Sequence, residues 1–174
     1  IIMVDCGSTS NEAIDYLNQQ NIKSIIIDHH EINKPYPKSN VIINPKKDHT
    51  KKEKSLLCAT ALTYFFIDNL IKKTKSDFKL SNFLIYVLLA TICDVMPLRK
   101  INKIIACNTI DDFNLKDNNA LVYIFDQYHL KKKITVDDLG FLIGPIINSG
   151  GRLNHSKYGV ELLSSSDDKI IKER

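Results

Sequence analysis

The chain has 174 residues, 44% of them hydrophobic and 25% charged, the balance of a globular protein long enough to bury a sizeable core in one or two compact units. Its net charge of +4 permits a phosphate-rich partner without demanding one. The longest apolar run, Phe83 to Cys93, falls well short of the ~20 residues of a membrane helix, and the N-terminus has no signal-peptide pattern, so a cytoplasmic protein with no membrane partner is expected.

Ile1 to Val4 reads as a strand that ends on Asp5. Asn11 to Gln19, with apolar Ala13, Ile14 and Leu17 on one face, reads as a short helix, with Ser8, Thr9 and Ser10 as capping candidates. Ile22 to Ile27 is a predicted buried strand, and Val41 to Ile43 a shorter one before Asn44-Pro45. Strand, short helix and strand without a hairpin turn predict a right-handed parallel crossover.

Lys46 to Lys54 reads as a lysine-rich polar loop. Ser55 to Ile71 is a predicted helix with Leu56, Leu57, Ala59, Leu62, Phe65 and Phe66 mostly inward. Leu80 to Cys93 is apolar nearly all round and is predicted to be a buried helix, which Pro97 helps to end. Beyond Leu98, the segments Ile101 to Ile110, Asn119 to Tyr128 and Val136 to Ile143 read as amphipathic helices, and no further strand is predicted. The expected fold is therefore α/β: a parallel sheet with flanking helices over residues 1–98, then a mainly helical connecting region over residues 99–174. That region carries a glycine-rich loop containing Arg152, one of three arginines in the chain.

Four cysteines (Cys6, Cys58, Cys93, Cys107) lack Cys-x-x-Cys spacing, which argues against a zinc knuckle or a disulfide framework, and the apolar surroundings of Cys6 and Cys93, beside Asp5 and Asp94, favour small buried thiols. The chemistry is expected where acids and histidines end apolar elements: Asp5, Asp28-His29-His30 and Asp94. In open parallel sheets ligands bind at the carboxyl ends of the strands. Asp5 and Asp28 would lie there on strands about 4.8 Å apart. Two ionised carboxylates so close repel, and a divalent cation turns that repulsion into shared attraction. Asp94 closes a helix at the negative end of its macrodipole, an unfavourable place for an anion by about 0.3–1 kcal/mol unless a cation is near. Oxygen and imidazole donors without thiolate suit Mn²⁺ or Mg²⁺ better than structural zinc. Taken singly, each residue also has a local alternative: Asp28 capping the next turn, His29 and His30 hydrogen-bonded near the surface.

These motifs resemble those of the DHH phosphoesterase superfamily. Val4-Asp5-Cys6-Gly7 is similar to its second motif, Asp28-His29-His30 to its third, and Ala90 to Leu98 to its fourth. Leu139-Gly140-Phe141, then Gly144 to Arg152 and Gly159 to Leu163, resemble its RecJ branch of single-strand-specific 5′→3′ exonucleases. The resemblance implies that Asp5 bridges two metal ions, Mn²⁺ or Mg²⁺, while His29 and Asp94 complete the shell of one of them. It implies that His30 faces the scissile phosphate, that Asp28 supports the histidines, and that Asn148, Ser149, Gly150, Gly151 and Arg152 hold substrate phosphates. Two-metal phosphodiester hydrolysis follows, with single-stranded DNA as partner, a role in recombination and repair, and a monomeric enzyme.

The sequence departs from the family in two ways. Ile146 stands where the family usually has arginine, and the Asp-rich first motif would lie ahead of Ile1. The C-terminal DHHA1 and nucleic-acid-binding domains are likewise not in the sequence. The expectation is a fragment of a longer exonuclease, impaired by itself. The competing expectations are a DHH phosphodiesterase for oligonucleotides or small nucleotides, and a decayed DHH module that binds without catalysing. Lys46-Lys47 with Lys51, Lys52 and Lys54, and Lys131 to Lys133, would either follow a nucleic-acid backbone or form solvated loops, and neither cluster has interleaved aromatics. His49, His129 and His155 show no partner pattern.

Overall fold

Level strand ends are the feature that places the site. The computed structural model describes residues 1–47, 56–152, 155 and 157–173. Strands β1 (Ile2–Val4), β2 (Ile25–Ile27) and β3 (Val41–Ile43) form one parallel sheet in the order β1-β2-β3. The register sets Val4 beside Ile27 and Ile27 beside Ile43, so Asp5, Asp28 and Asn44 leave the sheet side by side at its carboxyl edge. Helix α1 (Asn11–Gln19) makes the crossover from β1 to β2 over the expected residues, with Ile14 fully buried.

The strand expected from Ile22 is only three residues long. Asn21 takes a left-handed φ of 56°, and Ile22 N–H donates back to the Leu17 carbonyl at 2.9 Å, so these residues close α1 instead of extending. Buried Ser24 then donates its N–H to Asn40 Oδ1 at 2.9 Å. Ser10 is the N-cap residue of α1, but its side chain makes no capping hydrogen bond.

Helices α2 (Ala59–Thr74) and α3 (Leu84–Cys93) pack on each other, and α2 also packs against β1 and β2. Ser55, the expected start of α2, lies outside the described residues, as do His49 and Lys51, Lys52 and Lys54. Ala59, Ala61 and Leu62 are buried, whereas Phe65 and Phe66 are half-buried. The helix expected over Leu80 to Cys93 divides into a 3-10 turn, Leu80–Phe83, and α3 proper. Ile85, Val87, Leu88, Leu89 and Thr91 are buried, but Phe83 stays exposed. The expectation of buried thiols at Cys6 and Cys93 is overturned: Cys6, in the loop beyond the sheet, and Cys93, at the last turn of α3, are exposed, as is Cys107, and Cys58 is buried.

The chain divides into two compact units, Ile1–Ile104 and Ile105–Arg174, with α4 (Ile101–Asp112) beginning in the first and ending in the second. The second unit contains α5 (Asn119–Gln127), the single turn α6 (Val136–Asp138), α7 (Gly144–Arg152), α8 (Lys157–Ser164) and α9 (Asp168–Glu173). Its core is built from Leu121, Phe125, Ile134, Leu139, Ile143, Leu162 and Ile171. A π turn, Leu139–Ile143, joins α6 to α7 without a break. Gly144 to Arg152 is therefore helical, not a glycine-rich loop. Gly150 and Gly159 explain why: a Cβ on Gly150 would sit 3.1 Å from the His155 carbonyl oxygen, and one on Gly159 would sit 2.9 Å from Ile147 Cγ2. Small residues let α7 and α8 pack closely. No described helix is long and apolar enough to cross a membrane.

Thr135 and Asp138 cap α6 reciprocally: the Asp138 N–H donates to Thr135 Oγ1, and Thr135 N–H donates to Asp138 Oδ2 at 2.9 Å. Lys132 Nζ donates to Asp138 Oδ1 at 2.7 Å, and Lys133 Nζ to the Asp111 carbonyl at 3.1 Å, so these two lysines of the Lys131–Lys133 run serve the fold. Burial opposes the charge on Asp138, but Lys132 and Thr135 outweigh it and hold the carboxyl below the usual range. A depressed folded pKa stabilises the protein above the unfolded value of about 3.9, and that stability is lost as pH falls through the folded one. Asp138→Asn is expected to lower the melting temperature at pH 7, with the gap from the parent chain narrowing below about pH 4. Thermal denaturation followed by circular dichroism across that range checks it.

Candidate metal centre

Beyond β1 the chain doubles back over the sheet edge. Asp5 takes a left-handed φ of 62°, which a short polar side chain tolerates, and its N–H still donates to the Ile27 carbonyl at 3.0 Å. Gly7 follows with a φ of 108°, and a Cβ there would lie 3.1 Å from Ile26 Cγ1. Glycine is thus needed both for the dihedral and for the close approach to β2. The turn brings the Ser8 N–H to Asp28 Oδ2 at 3.0 Å.

Asp28 is 1% exposed and saturated with donors. Its Oδ1 accepts from the N–H groups of His29 (2.8 Å) and His30 (3.2 Å) and pairs with His30 Nδ1 at 2.7 Å. Burial opposes ionisation, yet the hydrogen bonds from Ser8 and His30 prevail and hold the carboxyl far below the ordinary range. The bond to Asp28 in turn raises the His30 pKa; burial works against it, and the charges of Asp28, Asp5 and Asp94 reinforce it.

His29 Nε2 lies 3.2 Å from Asp5 Oδ1 and 3.7 Å from Asp94 Oδ2, and His30 Nδ1 lies 4.0 Å from the same Asp5 oxygen. Asp5, His29 and His30 can place one donor atom each within 4.8 Å of one another, the one such group among the described residues. Asp94 reaches that group through His29. Burial pushes the Asp94 carboxyl up, with His29 opposing and Asp5 adding to the rise. The donors are oxygen and nitrogen; the neighbouring thiols of Cys6 and Cys93 stand outside the group. Octahedral Mg²⁺ binds at about 2.0–2.1 Å, which sets adjacent donors about 3 Å apart. Separations of 3.2 and 3.7 Å from His29 Nε2 are of the size set by such an ion, while the donors that all lie close to one another are those of Asp5, His29 and His30. Asp28 is at the same edge but turned inward, towards the donors it accepts.

Two residues of this network escape a reading of the sequence. There Ser8 is only a capping candidate, and Asn44 only the residue that ends a strand. Asn44 is 6% exposed; its Nδ2 donates to Ser8 Oγ at 2.7 Å and to the His30 carbonyl at 2.9 Å, while its Oδ1 accepts from Lys46 N–H at 2.9 Å. The signal that could have found it is the one that exposes Asp5 and Asp28: a polar residue ending an apolar strand. Lys46 is paired with Glu31 at 2.8 Å, and Lys47 lies over the Tyr36 ring at 5.1 Å. Asn44→Ala leaves several polar groups without their partner and is expected to cost about 1–3 kcal/mol in urea denaturation. It should also broaden the His30 imidazole resonances in NMR spectra.

Asp94 is aimed by the end of α3. Val95 N–H donates to the Ile92 carbonyl and Met96 N–H to the Thr91 carbonyl, both at 3.0 Å, with Val95 in the left-handed region at φ 54°. Glycine is the usual residue there, and a β-branched one is strained. Val95 is 86% exposed, so its side chain contributes little packing in return. Val95→Gly is expected to stabilise the chain by about 1 kcal/mol, read from its unfolding midpoint.

Of the residues expected to hold phosphates, Asn148, Ser149, Gly151 and Arg152 lie towards the surface of α7, and Gly150 is buried. Helical N–H groups donate to carbonyls one turn back. The paired glycines therefore form no N–H cradle, and any anion contact falls to the side chains. Ser149 Oγ donates to the Ile146 carbonyl at 2.6 Å. His155, without an expected partner, stacks on Tyr158 with ring centroids 4.5 Å apart.

Residues 1–92 match the family model described as DHH family, N-terminal domain. The single-stranded-DNA-specific exonuclease RecJ of Haemophilus influenzae is 25% identical over 183 residues, covering 99% of this chain and 32% of the relative. That of Escherichia coli is 29% identical over 177 residues, covering 94% and 30%. The chain thus spans about a third of the length of the curated relatives it matches. Among solved structures, RecJ in complex with Mn²⁺ from Thermus thermophilus has a TM-score of 0.85 at 22% identity, covering 99% of this chain and 26% of that one. An exonuclease RecJ bound to manganese has a TM-score of 0.83 at 21% identity, covering 99% and 43%. These likenesses extend the shared fold over nearly the whole chain.

Proposed function

This chain belongs to the DHH family, and on that premise we propose that it is the catalytic-edge portion of a metal-dependent exonuclease that hydrolyses single-stranded DNA. The observation that carries the reading is the approach of two carboxylates, Asp5 and Asp94, to one imidazole nitrogen of His29, beside a second imidazole clamped by Asp28. The curated relatives' name as single-stranded-DNA-specific exonucleases supports the substrate, and the resemblance of the motifs is what implies 5′→3′ digestion in recombination and repair. A DNA substrate goes with a cytoplasmic enzyme.

Asp5, His29 and Asp94 would hold Mn²⁺ or Mg²⁺, and exposed Asp5 would remain open to a second ion. When bound, such ions would supply Lewis acidity to the phosphate and to an attacking water. The protein's own residues do the rest. Asp28, ionised and buried, fixes the His30 ring through Nδ1 and leaves Nε2 for the scissile phosphate. Held by ionised Asp28 through Nδ1, a protonated His30 ring donates a hydrogen bond from Nε2 to the developing charge on a phosphoryl oxygen. Asn148, Ser149 and Arg152 grip backbone phosphates of the strand with their side chains, Arg152 in bidentate fashion. Ile146 adds no such contact.

Isothermal titration with Mn²⁺ is expected to show binding that Asp5→Asn and Asp94→Asn each weaken by about tenfold or more, the scale of a lost ligand. In the natural full-length protein, Mn²⁺-dependent release of mononucleotides from a single-stranded oligonucleotide is expected, with Asp94→Asn and His30→Ala each reducing the rate by roughly 10²-fold or more, the scale of a lost catalytic group. Faster hydrolysis of a dinucleotide than of a long single strand would replace the exonuclease reading with that of a small-nucleotide phosphodiesterase. Absence of Mn²⁺ binding, with strand affinity unchanged by Asp94→Asn, would point to a non-catalytic binding module.

A further inference from the structure

Away from the metal edge, one segment of the first unit, residues 72–86, carries exposed aromatic rings and positive charge close together along the chain. Phe78 and Phe83 are 54% and 43% exposed, with ring centroids 5.7 Å apart, and Phe83 continues to Tyr86 at 6.0 Å. Residues 72–79, which lead into this ladder, are exposed throughout and contain Lys72, Lys73, Lys75 and Lys79 against a single acid, Asp77. Lys72 is paired with Asp68 at 2.6 Å, so Lys73, Lys75 and Lys79 are the lysines for an outside partner. The ten residues of α3 set Phe83 about 15 Å along the helix from Asp94. The ladder is thus a separate place from the metal centre.

The combination selects its occupant. Rings serving only the core would be covered, and surfaces that dock proteins are depleted in lysine. Exposed aromatic faces bordered by lysine are what a single strand uses, since every base has a face to stack and every linkage carries a negative charge. We propose that Phe78, Phe83 and Tyr86, with Lys73, Lys75 and Lys79, form a stacking track for single-stranded nucleic acid that reads no base sequence. The track deepens the exonuclease reading and rests on it for the choice of a single strand as substrate. It holds the strand outside the reacting centre, so its loss weakens binding of long substrates and leaves short ones unaffected.

The test uses a fluorescent oligothymidylate of about 15 nucleotides, within the span that single-strand-binding grooves cover, with the intact chain in EDTA so that binding is scored without cleavage. Phe78→Leu with Phe83→Leu, which keeps apolar bulk but removes the rings, is expected to weaken binding roughly five- to tenfold. Lys75→Gln with Lys79→Gln is expected to reduce the slope of log affinity against log salt by about one. Ultraviolet crosslinking of a 5-iodouracil oligonucleotide to the unaltered protein should mark Phe78, Phe83 or Tyr86, a readout that needs no variant to fold. Unchanged affinity in the leucine variant, crosslinks confined to other segments, or a dimer in sedimentation that the leucine variant dissociates would each overturn the track. A chain that binds the strand through these rings but cleaves nothing with Mn²⁺ would keep the track and remove the nuclease reading, so the two fail separately.

Discussion

The buried carboxylate of Asp28 organises everything else at the sheet edge. It receives the Ser8 N–H, which fixes the loop after β1 that carries Asp5, and it receives both histidine N–H groups and the His30 ring. A buried ion without such donors would be costly, and with them it becomes a rigid hub. The charge of Asp28 is used inside the protein, on geometry. The acids that approach His29 are instead Asp5 and Asp94, from a strand end and a helix end.

That arrangement depends on three very short strands ending level. Three-residue strands offer little ladder energy, and the sheet is held in place largely by α2 and the buried apolar side chains of Ile26 and Ile27. The polar network Asp28–Ser8–Asn44 then ties the ends of β1, β2 and β3 together from above. Asn44 is the counterpart of Asp28 one strand over: a polar residue at a strand end whose amide spans a side chain and a backbone carbonyl.

Much of this is legible in the residues. The apolar runs closed by Asp5, Asp28-His29-His30 and Asp94 mark the edge, and α1 and β3 lie over the expected residues because their patterns are short and sharply bounded. Ile22 to Ser24 mislead because apolar and β-branched content cannot reveal that the preceding helix closes over them through Asn21. Gly144 to Arg152 misleads for the opposite reason. Its glycines suggest a turn when counted along the chain, and only the approach of α8, with Gly159 against Ile147, shows that they are small for packing. Cys6 and Cys93 lie next to site residues and are exposed for that reason, something composition could not convey.

The π turn at Leu139–Ile143 has a consequence for how the second unit tolerates change in length. A wide turn of this kind accommodates one residue more than a regular α-helix would over the same rise. Deleting a single residue there would let α6 and α7 run on as an ordinary helix, at little cost in backbone bonding. Each residue turns a regular helix by about 100°, and the wide turn takes up that rotation, so the exposed side of α7, with Asn148 and Arg152, would keep its direction relative to α6. The wide turn acts as a buffer for chain length, and loss of one residue at this point would leave that surface facing the same way.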